Sequence, residues 1–184
     1  YNKNIKGRKV ILYAGNIGEG QGLHKIIPEF ANKLIDEWDI IIVGDGGAKK
    51  ILNNYLISSN INNVFIESPV EQNLLVEFYR KADVLFLHLN NYKAFEKVLP
   101  SKIFEYAATN KPILAGVSGY SRRFIDKEIP NAQTFNPCDL EGAIMALSRL
   151  KLNYVKRDKF IRQYNRDSIS LSFAKEIKNM LINA

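Results

Sequence analysis

Leu99-Pro100-Ser101-Lys102-Ile103-Phe104-Glu105-Tyr106-Ala107-Ala108-Thr109-Asn110-Lys111-Pro112-Ile113-Leu114-Ala115 reads as a short helix that runs straight into an apolar strand. Pro100 favours an extended entry, and Ser101 is suited to cap a helix N-terminus. Lys102 and Glu105 fall in the first turn. The predicted helix spans Ser101–Thr109, and Pro112–Ala115 reads as the strand.

The same alternation extends outward in both directions. Predicted strands are Val10–Ala14, Asp39–Val43, Asn63–Ile66, Ala82–Leu87 and a weaker Ala132–Phe135. Helical spacing predicts Leu23–Ile35, Lys49–Leu56, Glu71–Lys81, Gly119–Lys127 and Asp139–Leu150, with a loop over Asn90–Leu99. Strands that are apolar on both faces and separated by helices call for a parallel sheet covered on both sides. The expected fold is α/β: a Rossmann-like, doubly wound parallel sheet of about six strands. Beyond it, residues 155–184 read as one or two closing amphipathic helices. Phe160, Ile161, Tyr164, Ile169, Leu171, Phe173, Ile177, Met180 and Leu181 supply their apolar side.

The 184 residues, 46% apolar, suffice for one domain with a full core. No apolar run reaches transmembrane length, and the first residues lack a signal-peptide pattern. The chain opens on Tyr1 without an initiator Met, as expected of a segment of a longer protein. Cys138 has no partner for an internal disulfide, which fits a reducing compartment. The net charge is +7, and it is uneven. Residues 1–150 carry 18 basic and 16 acidic side chains; residues 151–184 carry 8 and 3. A basic tail suits either a solvated helix face or an anionic surface.

In a doubly wound sheet, ligands bind beyond the carboxyl ends of the strands. Four segments there carry information. Gly15-Asn16-Ile17-Gly18-Glu19-Gly20-Gln21-Gly22 follows the first strand. Its four glycines let backbone amides approach an anion, and the next helix aims its positive end at the same place. A tight turn with no ligand is the competing reading. The loop fits neither the G-x-G-x-x-G dinucleotide pattern, since leucine stands at the last position, nor a P-loop. In the Ser101–Glu105 segment, a capping box needs a carboxylate at position 104, where Phe104 stands. Glu105 is therefore free either to pair with Lys102 or to accept hydrogen bonds from ligand hydroxyls. Glu67-Ser68-Pro69-Val70 and Gly44-Asp45-Gly46-Gly47 follow two further strands. His24 and His88 stand alone, away from any metal-type cluster. Cys138 suits a packed position better than a reactive one, and Arg122 and Arg123 suit either an anion contact or a surface helix.

The glycine loop and the P-S-K-x-x-E-Y helix resemble the donor-binding half of the GT-B glycosyltransferases, in the retaining group that uses nucleotide sugars. The nearest likeness is to bacterial surface-polysaccharide transferases with an A-G-N-I-G…Q-G-L loop. The resemblance covers residues 8–183. It implies a metal-free site that binds a nucleotide-diphosphate sugar, expected to be a UDP-sugar. Glu105 would hold the ribose hydroxyls. Gly15, Asn16, Gly18 and Gly20 would face the diphosphate, with Ser101 and Lys102 opposite. The turn at Glu67 would meet the base through its backbone. Lys102 and Glu105 are the expected catalytic residues. The chain departs from the family at three places. Asn16 and Gln21 replace a usual Arg and Lys, with Lys102 the candidate replacement cation and Lys25 a weaker one. Lys97 stands where the first glutamate of an E-x7-E pattern belongs, with Glu96 one residue off.

The resemblance further implies a separate acceptor-binding domain, a cytoplasmic setting at the inner membrane face, and polysaccharide assembly. The isolated half would bind donor but transfer little. A non-catalytic nucleotide-binding module of the same fold is the alternative. A dehydrogenase lacks its fingerprint here. A nucleic-acid binder lacks interleaved basic and aromatic strands.

Overall fold

The structure is a computed structural model that describes residues 7–165, 167–171, 174, 175 and 178. Six parallel strands form one sheet: β1 (Lys9–Ala14), β2 (Trp38–Val43), β3 (Val64–Glu67), β4 (Val84–His88), β5 (Ile113–Gly116) and β6 (Ala132–Phe135). Their spatial order is β3-β2-β1-β4-β5-β6. This is the doubly wound order, with its switch point between β1 and β4.

Alternate residues of each strand enter opposite cores. Ile11, Tyr13, Ile40, Ile42, Val84 and Phe86 face one layer. That layer is built from α1 (Leu23–Lys33), α2 (Lys49–Ser58) and α6 (Leu140–Arg149). Val10, Leu12, Ile41, Val43, Leu85 and Leu87 face the other. It holds α3 (Gln72–Lys81), α4 (Lys102–Ala108), α5 (Gly119–Glu128) and α7 (Asp158–Tyr164). Period-two alternation thus supplies both layers, although each strand reads as continuously apolar.

Two buried cations close helix ends, where backbone carbonyls lack partners. Lys111 Nζ donates to Arg80 O at 3.1 Å and Ala82 O at 2.5 Å, at the end of α3. Arg157 donates to Ala107 O, Lys111 O and Pro130 O at 2.8–3.2 Å. Burial pulls its guanidinium down to about 10. One of the tail's basic residues is therefore an internal brace for α4.

The tail's first helix belongs to the core. Phe160 and Tyr164 of α7 pack on Phe104 of α4 and Phe124 of α5, with ring centroids 4.6–6.2 Å apart. Ile169 and Leu171, expected on an apolar face, are exposed. Phe173, Ile177, Met180 and Leu181 lie outside the described residues. Three local expectations need correction. The Asn90–Leu99 loop contains a short 3-10 helix, Lys93–Lys97. β4, expected over Ala82–Leu87, runs over Val84–His88. Ser101 does not cap α4 with its side chain: its backbone is already helical (φ −58°, ψ −27°), and Pro100 O and Ser101 O accept the first turn's amides. A side-chain cap needs an extended backbone at that residue.

Candidate functional site

A cleft of about 300 Å³ opens at the carboxyl ends of β1, β2 and β3. Gly15 and Asn16 line one side and Val43, Gly44 and Asp45 the floor. Pro69, Val70 and Leu75 form an apolar wall, and Lys102 reaches in from α4. The volume lies at the lower end of ligand pockets.

Close backbone approach shapes the floor. A Cβ on Gly44 would stand 1.9 Å from Gly15 O, and one on Gly46 2.5 Å from Ile17 O. Only glycine lets the first two strand ends meet this closely. The G-D-G turn is thus a requirement of backbone geometry that also places Asp45 at the cleft.

The glycine loop is folded on itself. Gly15 N–H donates to Val43 O at 2.9 Å and Ile17 N–H to Asp45 O at 2.7 Å. Gln21 Oε1 accepts from Asn16 Nδ2 at 3.0 Å and from the Gly18 amide at 3.2 Å. Asn16 and Gln21, standing where the resemblance expects two cations, are bonded to each other. Gly18 has its amide engaged by this pair. Gly20 packs against Phe95, 3.1 Å from the position of a Cβ, and its carbonyl accepts the Asn90 amide at 2.8 Å. Of the four loop residues expected to face a ligand, Gly15 and Asn16 line the cleft. Gly18 and Gly20 serve the loop's own packing.

On the opposite side, Lys102 Nζ donates to Glu105 Oε2 at 2.7 Å. Tyr79 of α3 donates its hydroxyl to Glu105 Oε1. Burial, then the Glu105 bond, pushes the Tyr79 phenol far up, so it stays a proton donor. Glu105 remains 43% exposed despite both partners. A carboxylate offers about four acceptor positions, so two remain for hydroxyl donors. Lys102 keeps two of its three ammonium protons for other acceptors. Ser101 is exposed beside this pair.

Glu67 pairs with Val43 in register, and its carbonyl accepts the Gly44 amide at 3.0 Å. The following Pro69 and Val70 form the wall, so the turn meets the cleft through apolar groups. Asp45 lies in the G-D-G turn that the sequence singled out, whereas Leu75, on the wall, and Tyr79, bonded to Glu105, were missed. Tyr79 is the less legible, because its partner lies 26 residues away.

Lys25 lies outside this cleft, near Asn90 and Glu19 at 3.3 and 3.5 Å and over the Tyr92 ring. Glu96 and Lys97 are exposed on the 3-10 helix and are not cleft-lining residues. The Glu96 backbone is wedged beneath Gly119, whose φ is +58°. Arg122 bonds Thr134 and Asn136 and so ties α5 to β6.

His88, at the end of β4, joins two loops. Its Nε2 accepts the Cys138 amide at 2.9 Å, which places the proton on Nδ1, 2.6 Å from Gln21 O. Burial pulls its pKa down to about 4. Cys138 packs with Sγ 3.6 Å from Asn90 Oδ1. Among the described residues no group of three or more His, Cys, Asp or Glu is placed to hold a metal. No described helix is long and apolar enough to cross a membrane.

Known proteins match this arrangement. The WcaI protein of Escherichia coli K12, named for colanic acid biosynthesis glycosyl transfer, is 29% identical over 178 residues. That alignment covers 93% of this chain and 43% of WcaI, so the chain spans under half of that relative. A glycosyltransferase from Rickettsia africae superposes with a TM-score of 0.76 at 14% identity, over 97% of this chain and 49% of that one. Anabaena HepE, solved with UDP and glucose, gives 0.74 at 14%, over 95% and 49%. The lipopolysaccharide outer core galactosyltransferase WaaB gives 0.72 at 16%, over 97% and 51%. The fold is thus that of GT-B glycosyltransferases, over about half the length of each of these chains. The family model "Glycosyl transferases, group 1" matches residues 2–167, and the chain belongs to that family.

Proposed function

We propose that this chain is the donor-binding half of a retaining glycosyltransferase, and that its cleft takes a nucleoside diphosphate sugar. One observation carries the reading. An apolar wall and a cation with spare donors line one cleft at strand carboxyl ends, and that cation is bonded to a carboxylate with spare acceptor positions, which Tyr79 also holds. The base would rest on Pro69, Val70 and Leu75. The ribose hydroxyls would donate to Glu105, and the diphosphate would lie between Lys102 and the loop at Gly15 and Asn16.

Lys102 is the residue positioned to act on the reaction. As the sugar–phosphate bond breaks, negative charge grows on the departing diphosphate. An ammonium group already placed beside the diphosphate stabilises that charge. Glu105 binds rather than reacts: it holds the nucleotide so that its diphosphate meets Lys102. UDP is the favoured nucleotide, since HepE was solved with UDP and glucose. Sugar-side and acceptor groups would come from a second domain, in keeping with the half-length match to WcaI. A biosynthetic role of the kind WcaI is named for is the setting proposed, at the cytoplasmic face of the membrane.

Calorimetric titration with UDP, GDP and ADP tests the proposal. UDP is expected to bind with the highest affinity. Failure of all three to bind would overturn it.

A further inference from the structure

We propose that Tyr79 is a positioning residue for ribose recognition: its hydroxyl holds Glu105 in the orientation that accepts the nucleotide's 2′- and 3′-hydroxyls. The inference rests on the donor-site reading above and deepens it.

Glu105 alone is poorly suited to select a ribose. It sits in the first turn of a seven-residue helix, with its side chain 43% exposed. A glutamate has three rotatable bonds, and ordering it costs rotamer entropy. Its other partner, Lys102, is itself a long side chain, 28% exposed, three residues away on the same helix, and so lends Glu105 no anchor outside α4. Tyr79 differs on each count. It is 8% exposed and comes from a different helix. Its ring stands edge-on to the fully buried Tyr106 ring, with centroids 5.9 Å apart and planes at 80°. Tyr106 in turn bonds the end of β1 through Ala14. A rigid path therefore runs from the strand that carries the glycine loop to one oxygen of Glu105.

The division of oxygens suits this role. Tyr79 takes Oε1 and Lys102 takes Oε2, which leaves each oxygen one acceptor position. A vicinal diol presents two donors side by side, and a carboxylate held in plane meets both. A phenol kept protonated retains the proton that it gives to the Glu105 oxygen. An ordered acceptor binds the diol without first losing rotamer freedom, the general benefit of preorganisation.

The test compares UDP with 2′-deoxy-UDP by calorimetry, in the parent chain, Tyr79→Phe, Glu105→Ala and the double variant. Phenylalanine retains the ring against Tyr106 and removes only the hydroxyl. The parent chain is expected to prefer UDP by about tenfold, the factor for one hydrogen bond to a charged group. Tyr79→Phe should reduce that preference to about threefold or less, with the melting curve still cooperative. In the Glu105→Ala background the same change should leave the preference unaltered, because the hydroxyl acts through Glu105. A parent-like preference in Tyr79→Phe would overturn the inference and leave the ribose reading standing. So would an equal loss in both backgrounds. A parent chain that binds UDP without regard to the 2′-hydroxyl would overturn the ribose reading and this inference with it.

Discussion

The hydroxyl of Tyr106 accepts the amide proton of Ala14 at 2.9 Å, and this contact seats α4 on the end of β1. β1 and β4 pair only at Ile11 and Leu12 before they diverge. Val10, two pairs earlier in parity, sends its amide toward the β4 side to Asp83 Oδ2 at 2.7 Å. The Ala14 amide points the same way, past the end of the ladder. A buried amide left unpaired there would be costly. Tyr106, fully buried, fills the gap and also donates toward Ala14 O at 3.4 Å. The helix that carries Lys102 and Glu105 is thereby locked to the strand that carries Gly15.

Tyr106→Phe should therefore cost stability and binding together. It removes the one hydroxyl that partners both the amide and the carbonyl of buried Ala14, so a loss of about 1–3 kcal/mol is expected in denaturant unfolding. UDP affinity should fall as well, because α4 loses its register against the glycine loop. Unchanged stability would show that water replaces the hydroxyl and that the lock is unimportant.

Glu105→Ala and Lys102→Ala separate two parts of the nucleotide. Loss of the carboxylate should weaken UDP by about 1.5–3 kcal/mol and uridine by a similar amount, since both carry the ribose. Loss of the ammonium group should weaken UDP while leaving uridine nearly unchanged. Calorimetry of both ligands on both variants decides this. Equal losses on uridine and UDP for Lys102→Ala would remove it from the phosphate role.

His88 makes the fold sensitive to mild acid. Its pKa is pulled from 6.5 to about 4 by burial, so between those values the unfolded chain binds the additional proton. Stability is complete above about pH 6.5 and declines as pH falls toward 4, by on the order of 3 kcal/mol for this one group. Protonation also ends acceptance of the Cys138 amide by Nε2. Melting temperatures taken from pH 7 to pH 4 should fall in that window. His88→Gln should shallow the slope by about one proton.

Arg157 supplies a test of the internal brace. Arg157→Ala strips the donors from Ala107 O, Lys111 O and Pro130 O. A destabilisation of about 2–4 kcal/mol in urea unfolding is expected, above one charged hydrogen bond and below their sum. A loss under about 0.5 kcal/mol, typical of a surface arginine, would contradict the role.

The sheet was legible because its strands are short, β-branched and apolar on both faces. Ala132–Phe135, the weakest strand by pattern, forms over the expected residues. That Lys102, Gly15, Asn16 and the Pro69–Val70 turn meet at one cleft was legible because topology puts strand ends together; the roles expected of them came from the family resemblance. What escaped sequence reading was the choice of long-range partners. Nothing local marks Arg157, in a basic tail, as a buried brace. Nothing local pairs Tyr79 with Glu105, or Asn16 with Gln21, since helix packing and loop closure decide those contacts. Ser101 looked like a cap because composition does not reveal that its backbone has already turned helical.

A crystal structure of this chain with UDP tests the central claim most directly. The account predicts uracil against Pro69 and Val70, both ribose hydroxyls on the Glu105 carboxylate, and the diphosphate beside Lys102 and Gly15. UDP bound with its ribose away from Glu105, or at any other face of the sheet, would contradict it.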